Sequence, residues 1–223
     1  MSAEVSAVPA AARLRITETF LSLQGEADAV GWPTFFIRLT GCPLRCRYCD
    51  TAYAFHGGEW RTIAHLADEA RESRARHVCV TGGEPLAQRA CAVLLTVLCD
   101  AGFVVSLETS GAMDSAGVDP RVTRVIDVKT PGSGEDRRNL DLSVHRLRAC
   151  DQLKFVICDR ADYDWSRQRV LDEGLDARCQ VLFSPSFQQL PAARLADWIL
   201  EDRLPVRFQV QLHKVIWGDV PGR

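Results

Sequence analysis

Six short runs of β-forming residues, separated by stretches with helical spacing, restrict this 223-residue chain to one kind of architecture. The runs are TFFIRLT from Thr34, HVCVTGG from His77, FVVSLET from Phe103, RVIDVKT from Arg124, LKFVIC from Leu153 and CQVLFSP from Cys179. Their apolar character is continuous rather than cleanly alternating, which predicts strands buried on both faces. Between them, Ile63, Leu66, Ala67 and Ala70 follow a candidate N-cap at Thr62, and Leu86, Ala90, Val93, Leu94 and Val97 follow Pro85 and stop near Gly102. Tyr163, Val170 and Leu171 make a sparser pattern ending at Gly174, and Leu195, Trp198 and Ile199 follow Pro191. Strands alternating with helices predict an α/β fold with a mostly parallel sheet, curled by right-handed crossovers into a partial, incomplete TIM-like barrel. Ligands of such folds gather at the carboxyl ends of the strands, so the polar, Gly-rich segment 131–139 reads as a loop at a ligand-facing end.

With 47% hydrophobic residues and no long polar linker, the chain reads as a single domain over residues 14–223 behind a disordered, Ala-rich tail at 1–13. That start lacks the pattern of a secretory signal, and no later run reaches membrane-spanning length, so a cytoplasmic location without a membrane role is expected. Twenty-seven Lys and Arg against 29 Asp and Glu leave a formal charge of −2. So balanced a surface argues against nucleic acid as partner and makes a small-molecule substrate the default.

Nine cysteines, an odd number in a chain of this type, suit reduced thiols better than a disulfide scaffold. Three of them, Cys42, Cys46 and Cys49, fall within eight residues directly after the first strand. Thiolates at this spacing suit zinc or an iron–sulfur centre. Structural zinc takes four closed ligands, and the spare candidate, His56, has no second half of a finger motif; a zinc-loop interaction module stands as the non-enzyme alternative. Three thiolates on an iron–sulfur cluster would leave one iron open. Cys79, Cys91, Cys99, Cys150, Cys158 and Cys179 lack metal spacing and read as small buried hydrophobes. The turn Thr81-Gly82-Gly83-Glu84-Pro85 places glycines where backbone can approach a ligand closely.

The C-x3-C-x2-C loop, with Tyr48 just ahead of its last cysteine, resembles the signature of the radical S-adenosylmethionine superfamily, and the GGE turn resembles that superfamily's motif for the cofactor's amino group. The resemblance implies a 4Fe-4S cluster on Cys42, Cys46 and Cys49 whose open iron is chelated by S-adenosylmethionine. The flanking Glu18–Glu26 segment (ETFLSLQGE), Phe36-Ile37-Arg38, Asp50-Thr51 and His213-Lys214 narrow it further, since together they resemble the 7-carboxy-7-deazaguanine synthases of the queuosine pathway from about Arg15 to Gly222. That family likeness implies conversion of 6-carboxy-5,6,7,8-tetrahydropterin to 7-carboxy-7-deazaguanine with loss of ammonia, an electron donor such as flavodoxin or ferredoxin, and a homodimer.

Residue by residue, the resemblance implies that Leu23, Gln24, Gly25, Arg38, Thr81 and His213 hold the pterin. Arg38 can contact a carboxylate bidentately, Gln24 offers a donor and an acceptor, and Glu26 can accept from an aminopyrimidine edge. It implies S-adenosylmethionine contacts at Tyr48, Cys49, Asp50 and Gly83, at Asp127, Val128 and Lys129, and at Ser184, Pro185, Ser186 and Phe187. Thr51 falls where the family binds Mg²⁺ through a hydroxyl. Glu108 reads equally as a ligand contact or a buried hydrogen-bonded carboxylate. The first two cluster cysteines lack the long insertion of one branch of the family, and the chain continues past His213, so a contact from a terminal carboxylate does not carry over. A glycyl-radical activase shares the cysteine loop and the GGE turn, but this chain has no second cysteine cluster and carries the SLQGE segment instead.

Overall fold

The alternation of strands and helices yields a nine-stranded sheet in the computed structural model, which describes residues 12–143 and 145–222. In chain order the elements are β1 (Arg13–Leu23), β2 (Pro33–Leu39), β3 (Glu59–Thr62), α1 (Ile63–Glu72), β4 (His77–Gly82), α2 (Cys91–Asp100), β5 (Val104–Ser110) and β6 (Thr123–Val128). They continue with β7 (Gln152–Ile157), α3 (Arg160–Glu173), β8 (Gln180–Pro185), α4 (Ala192–Asp202), β9 (Arg207–Phe208) and α5 (Leu212–Trp217). The spatial order is β3-β1-β2-β4-β5-β6-β7-β8-β9. From β2 through β4 to β9 every pairing is parallel, while β1 runs antiparallel to β2 and β3.

The sheet is open but strongly curled. Five inter-strand steps separate β1 from β7, roughly 24 Å if the sheet were flat, yet Lys154 on β7 lies 2.6 Å from Glu26 just past β1. Arg207 on β9 likewise reaches Asp28 at 2.9 Å.

Strand parity then separates two environments. Ile37, Leu39, Val78, Val80, Val105 and Leu107 face outward into one apolar cluster with α1 and α2. Ile126, Val128, Leu153, Phe155, Ile157, Val181 and Phe183 fill a second beneath α3 and α4. The opposite parity supplies Arg38, Thr81, Glu108, Asp127, Lys154 and Ser184 to a shared interior cavity. The strands are buried on both faces, as their runs predict, but the interior face carries charged and polar side chains among apolar ones rather than a continuous apolar set.

Local signals set the helix ends. Thr62 Oγ1 accepts from His65 N at 3.2 Å, Asp159 caps α3, and Gly174 closes it in the left-handed region at φ 56°. Helix α2 begins at Cys91 rather than after Pro85, because Pro85–Ala87 forms a separate 3-10 turn capped by Glu84. Strands β1, β3 and β9 and helix α5 were not anticipated as elements. Arg13 already belongs to β1, inside the stretch expected to be a tail, and residues 1–11 lie outside the described residues. Of the six cysteines expected to be buried, Cys79, Cys91 and Cys179 are, Cys99 and Cys158 are partly so, and Cys150 is exposed because it sits in the turn before β7.

At the end of the sheet away from the cavity, buried Arg124 ties β6 to the segment before β7. Its Nε donates to Asp151 at 3.1 Å, and Nη1 donates to the carbonyls of Ser115 and His145 at 2.7 and 2.8 Å. Arg148 adds a second guanidinium to the same carboxylate at 2.7 Å. Burial pushes the Asp151 carboxyl up, but the two arginines outweigh it and bring it to about 2. Arg124→Met should therefore lose about 3–5 kcal/mol in urea denaturation, the cost of breaking a buried charge pair from one side. Arg71→Ala, which breaks an exposed pair with Asp68, should leave the midpoint unchanged.

Candidate functional site

The carboxyl ends of the parallel strands open into a cavity of about 460 Å³. After β2 the chain turns through Gly41, at φ 96°, into the cysteine loop, whose three thiols are partly buried along one wall. The loop is pinned on two sides. Gly41 N donates to Ala54 O at 2.8 Å, and Glu84 N donates back to Gly41 O at 2.8 Å. Arg47 N donates to Ser133 O at 3.0 Å and Arg45 N to Glu135 Oε1 at 2.6 Å, docking the loop on segment 131–139.

The GGE turn acts as the seat of this loop. A Cβ on Gly83 would meet Gly41 O and lie 2.8 Å from Cys42 Cβ, so only glycine fits. Glu84 is fully buried and accepts from Leu86 N, Thr109 Oγ1, Ser110 N and Ser110 Oγ, at 2.6–2.9 Å. Its carboxylate fastens the ends of β4 and β5 together and leaves the cavity wall to Gly83.

The thiols suit an iron–sulfur cluster better than a single ion. Among the described residues, no three His, Cys, Asp or Glu side chains converge on one metal position, as tetrahedral zinc requires. Three thiols spread along one loop instead suit a cluster that takes one thiolate at each of three irons. Burial pushes all three thiols up, Cys46 to about 11, so metal must displace their protons on assembly. The ammonium of Lys129 acts in the opposite direction on each.

Beside the cluster wall, two buried polar atoms lack any partner: the Tyr48 hydroxyl and Asp127 Oδ1. Such orphans in a cavity mark where a polar ligand completes the hydrogen bonding. Asp127 Oδ2 is already held by Lys129 at 3.1 Å, with Lys154 at 3.7 Å. Ser184, Pro185, Ser186 and Phe187 line the adjoining wall, Ser186 Oγ donating to Gln189 at 2.8 Å. Val128 does not line the cavity with them, since its side chain is buried in the outer apolar cluster.

At the far end, Arg38 donates through Nε to Glu18 at 2.7 Å and lies over the Phe20 and Tyr53 rings, leaving its outer nitrogens toward the cavity. Gln24 is less free than its type suggests: its oxygen accepts from Gly25 N at 2.8 Å and Glu26 N at 3.3 Å, and its amide donates to Glu108 at 3.3 Å. Leu23 and Thr81 line the same region, whereas Gly25 lies beneath it, against the His213 ring.

Two buried carboxyls here are shifted in opposite directions. Burial pushes Glu26 up, but Lys154 at 2.6 Å and Gln211 at 2.8 Å bring it below its ordinary value. Burial dominates at Glu108 and raises it. His213 is lowered by burial and stays neutral near pH 7.

Helix α5 closes the mouth. Lys214 donates to Asp50 at 2.6 Å, contacts Asp219 at 3.3 Å and lies over Phe187, so the segment beyond His213 adds Asp219 to the wall. Burial raises the Asp50 carboxyl, and Lys214 outweighs it, bringing it to about 2. Thr51 Oγ1 donates to the other Asp50 oxygen at 2.9 Å. Sequence reasoning misses Lys154, Gln211, Lys214 and Asp219 as cavity residues. For Lys154 the signal was present: a lone charge within an apolar run, at the parity shared by Arg38, Glu108 and Asp127.

Comparison with known proteins agrees with this geometry. Residues 36–127 match the model of the Radical SAM superfamily. A 7-carboxy-7-deazaguanine synthase of Chlorobaculum tepidum is 44% identical over 93% of this chain and 96% of its own length, and one of Koribacter versatilis is 38% identical over 92% and 97%. The chain belongs to the 7-carboxy-7-deazaguanine synthase family. The crystal structure of QueE from Escherichia coli superposes with a TM-score of 0.70 at 25% identity, covering 90% of this chain and 95% of that one. Streptococcus suis SuiB, at 12% identity and a TM-score of 0.53, covers 79% of this chain and 48% of its own and shares the fold. Membership in the radical S-adenosylmethionine superfamily brings with it a 4Fe-4S cluster and S-adenosylmethionine. No helix among the described residues is long and apolar enough to cross a membrane.

Because a Cβ at Gly25 would run into His213 Nδ1, Gly25→Ala should push the ring aside and loosen α5. Trypsin should then cleave after Lys214 markedly faster than in the parent, with cluster absorbance retained.

Proposed function

We propose that this chain converts 6-carboxy-5,6,7,8-tetrahydropterin to 7-carboxy-7-deazaguanine with release of ammonia, in 7-deazaguanine and queuosine biosynthesis. One observation carries the reading: a single cavity joins the three-cysteine wall to a buried polar wall that combines a guanidinium, an ionised carboxylate and a raised carboxyl. A bicyclic, carboxylated heterocycle needs that mixture of donors and acceptors.

Cys42, Cys46 and Cys49 hold the cluster. Tyr48, Asp50, Gly83, Asp127, Lys129 and the Ser184–Phe187 wall receive S-adenosylmethionine, the orphaned Tyr48 and Asp127 atoms gaining their partners from it. When bound, cluster and cofactor supply an adenosyl-centred hydrogen abstraction. The outer nitrogens of Arg38, with His213, take the substrate carboxylate; Thr81, Gln24 and ionised Glu26 face the ring, Glu26 accepting from its amino group. Closure by α5 keeps water from the reacting carbon.

The same reading extends to a single domain over residues 14–223, a cytoplasmic location and a homodimer. It also includes an electron donor of the flavodoxin or ferredoxin type, for which exposed Arg47, Arg137 and Arg138 around the cysteine loop suit an acidic surface.

Anaerobic incubation of reconstituted protein with the carboxytetrahydropterin, S-adenosylmethionine and a reductant should give the deazaguanine by mass. Cys46→Ala should lose cluster absorbance and turnover together, and Cys91→Ala, whose thiol is buried in the outer core, should behave as the parent. Failure of the parent to turn over the pterin would overturn the reading.

Thr51 would supply a hydroxyl to Mg²⁺, and the cation would neutralise the anionic substrate. The Thr51 hydroxyl and the Asp50 carboxylate stand together at the cavity edge, and Mg²⁺ takes few protein oxygens, with the rest from water and substrate. Thr51→Val should keep the cluster and cofactor affinity and lose most of the magnesium stimulation of product formation. An equal response to magnesium in parent and variant would remove the assignment.

A further inference from the structure

Buried charges cross the floor of the cavity in an unbroken row. Lys129 contacts Asp127 at 3.1 Å, Asp127 lies 3.7 Å from Lys154, and Lys154 donates to Glu26 at 2.6 Å. All four side chains are mostly buried. Lys129 and Asp127 stand on the cofactor side and Glu26 on the substrate side, so Lys154 is the joint between them.

We propose that Lys154 is a positioning residue that couples the two halves of the site, its ammonium fixing Glu26 and Asp127 at once so that a ligand held by one carboxylate is felt at the other. The inference rests on the reading of Glu26 as a pterin contact. Its physical basis is the cost of burying carboxylates without a counter-charge. Glu26 follows β1 and Asp127 lies on β6, four inter-strand steps away along the sheet, so their side chains meet only across the cavity. The Lys154 ammonium is the one group shown in contact with both carboxylates. Gln211 fixes the second Glu26 oxygen at 2.8 Å, so any shift of Lys154 turns the carboxylate about that anchor.

The charged and titratable groups facing this pair are Glu108 from β5, Asp127 from β6, Lys129 just after it, His213 from α5 and Asp50 from the cysteine loop. Apart from Lys154, His213 and Lys129, the groups around Glu26 are acidic. Without the Lys154 ammonium, burial and these acids drive Glu26 toward its protonated form. Ionised Glu26 accepts from the pterin amino group, so binding to a Lys154→Met enzyme should weaken as pH falls. The parent, with Glu26 ionised throughout, should lack that acid-side loss; His213, which Lys154 also lowers, is separated from Glu26 by the Glu26→Gln background, where Glu26 can no longer titrate.

The test measures equilibrium affinities of the cluster-loaded enzyme for the carboxytetrahydropterin and for S-adenosylmethionine, without reductant, between about pH 6 and 8. Lys154→Met should lose pterin affinity by roughly tenfold or more, and more at the acid end. The additional Glu26→Gln change should abolish the acid-side loss, and Lys154→Arg should restore much of the parent profile. Glu26→Gln alone, which keeps the ammonium, should still alter S-adenosylmethionine affinity if the halves are coupled. S-adenosylmethionine affinity that stays parent-like in both Lys154→Met and Glu26→Gln would overturn the coupling while leaving the proposed reaction intact. A parent that fails to bind the pterin would overturn the reaction itself.

Discussion

The curl of an open parallel sheet is the constraint on which the rest depends. It brings β1 against β7 and β9 without closing a barrel, and so turns the inner face into a cavity rather than a packed core. In a closed eight-stranded barrel, apolar side chains fill the interior in layers. Here Ala27, Val125 and Leu182 form a small apolar cluster of that kind, and the cavity above it mixes charged and polar side chains with a few aromatic and aliphatic ones such as Phe20, Leu23 and Phe36.

Polar residues inside a fold are tolerable only when each has a partner. The interior meets that condition by pairing across strands: Arg38 with Glu18, Lys129 and Lys154 with Asp127, Lys154 with Glu26, and Lys214 with Asp50. Because the partners come from distant parts of the chain, the same pairs that satisfy buried charge also fix the distances between subsites. Stability and positioning are one set of contacts in this cavity. Among the unpartnered buried atoms, Tyr48 Oη and Asp127 Oδ1 lie beside the cysteine wall, where a bound cofactor has polar groups to offer.

The cysteine loop illustrates a second economy. Its position comes less from the loop than from its neighbours, the seat made by Gly83 and the brace made by Glu84 with Thr109 and Ser110. A loop held by backbone hydrogen bonds at Gly41, Arg47 and Ala54 can present thiols before any metal arrives.

How much of this was readable in advance follows from range. The six central strands, the Thr62 cap, the Gly174 stop and the thiol spacing are local: period, cap chemistry and spacing are properties of a few consecutive residues. The family resemblance rests on local motifs too, and it assigned most of the residues that line the cavity. Strand β1 escaped because Arg13, Arg15, Thr17 and Thr19 break its apolar run, and it becomes a strand by pairing with β2 and β3. Val128 was placed in the site by its neighbours, but parity turns its side chain outward. Lys154 was visible as a charge in an apolar strand, yet its partners lie 128 and 27 residues away, and only the curl that joins the sheet's distant strands decides that it meets them. The sequence by itself determined the α/β class, the central strands, the cluster loop and the family. The tertiary structure alone decided which side chains share the cavity, because burial, parity and ion pairing depend on contacts between residues far apart in the chain.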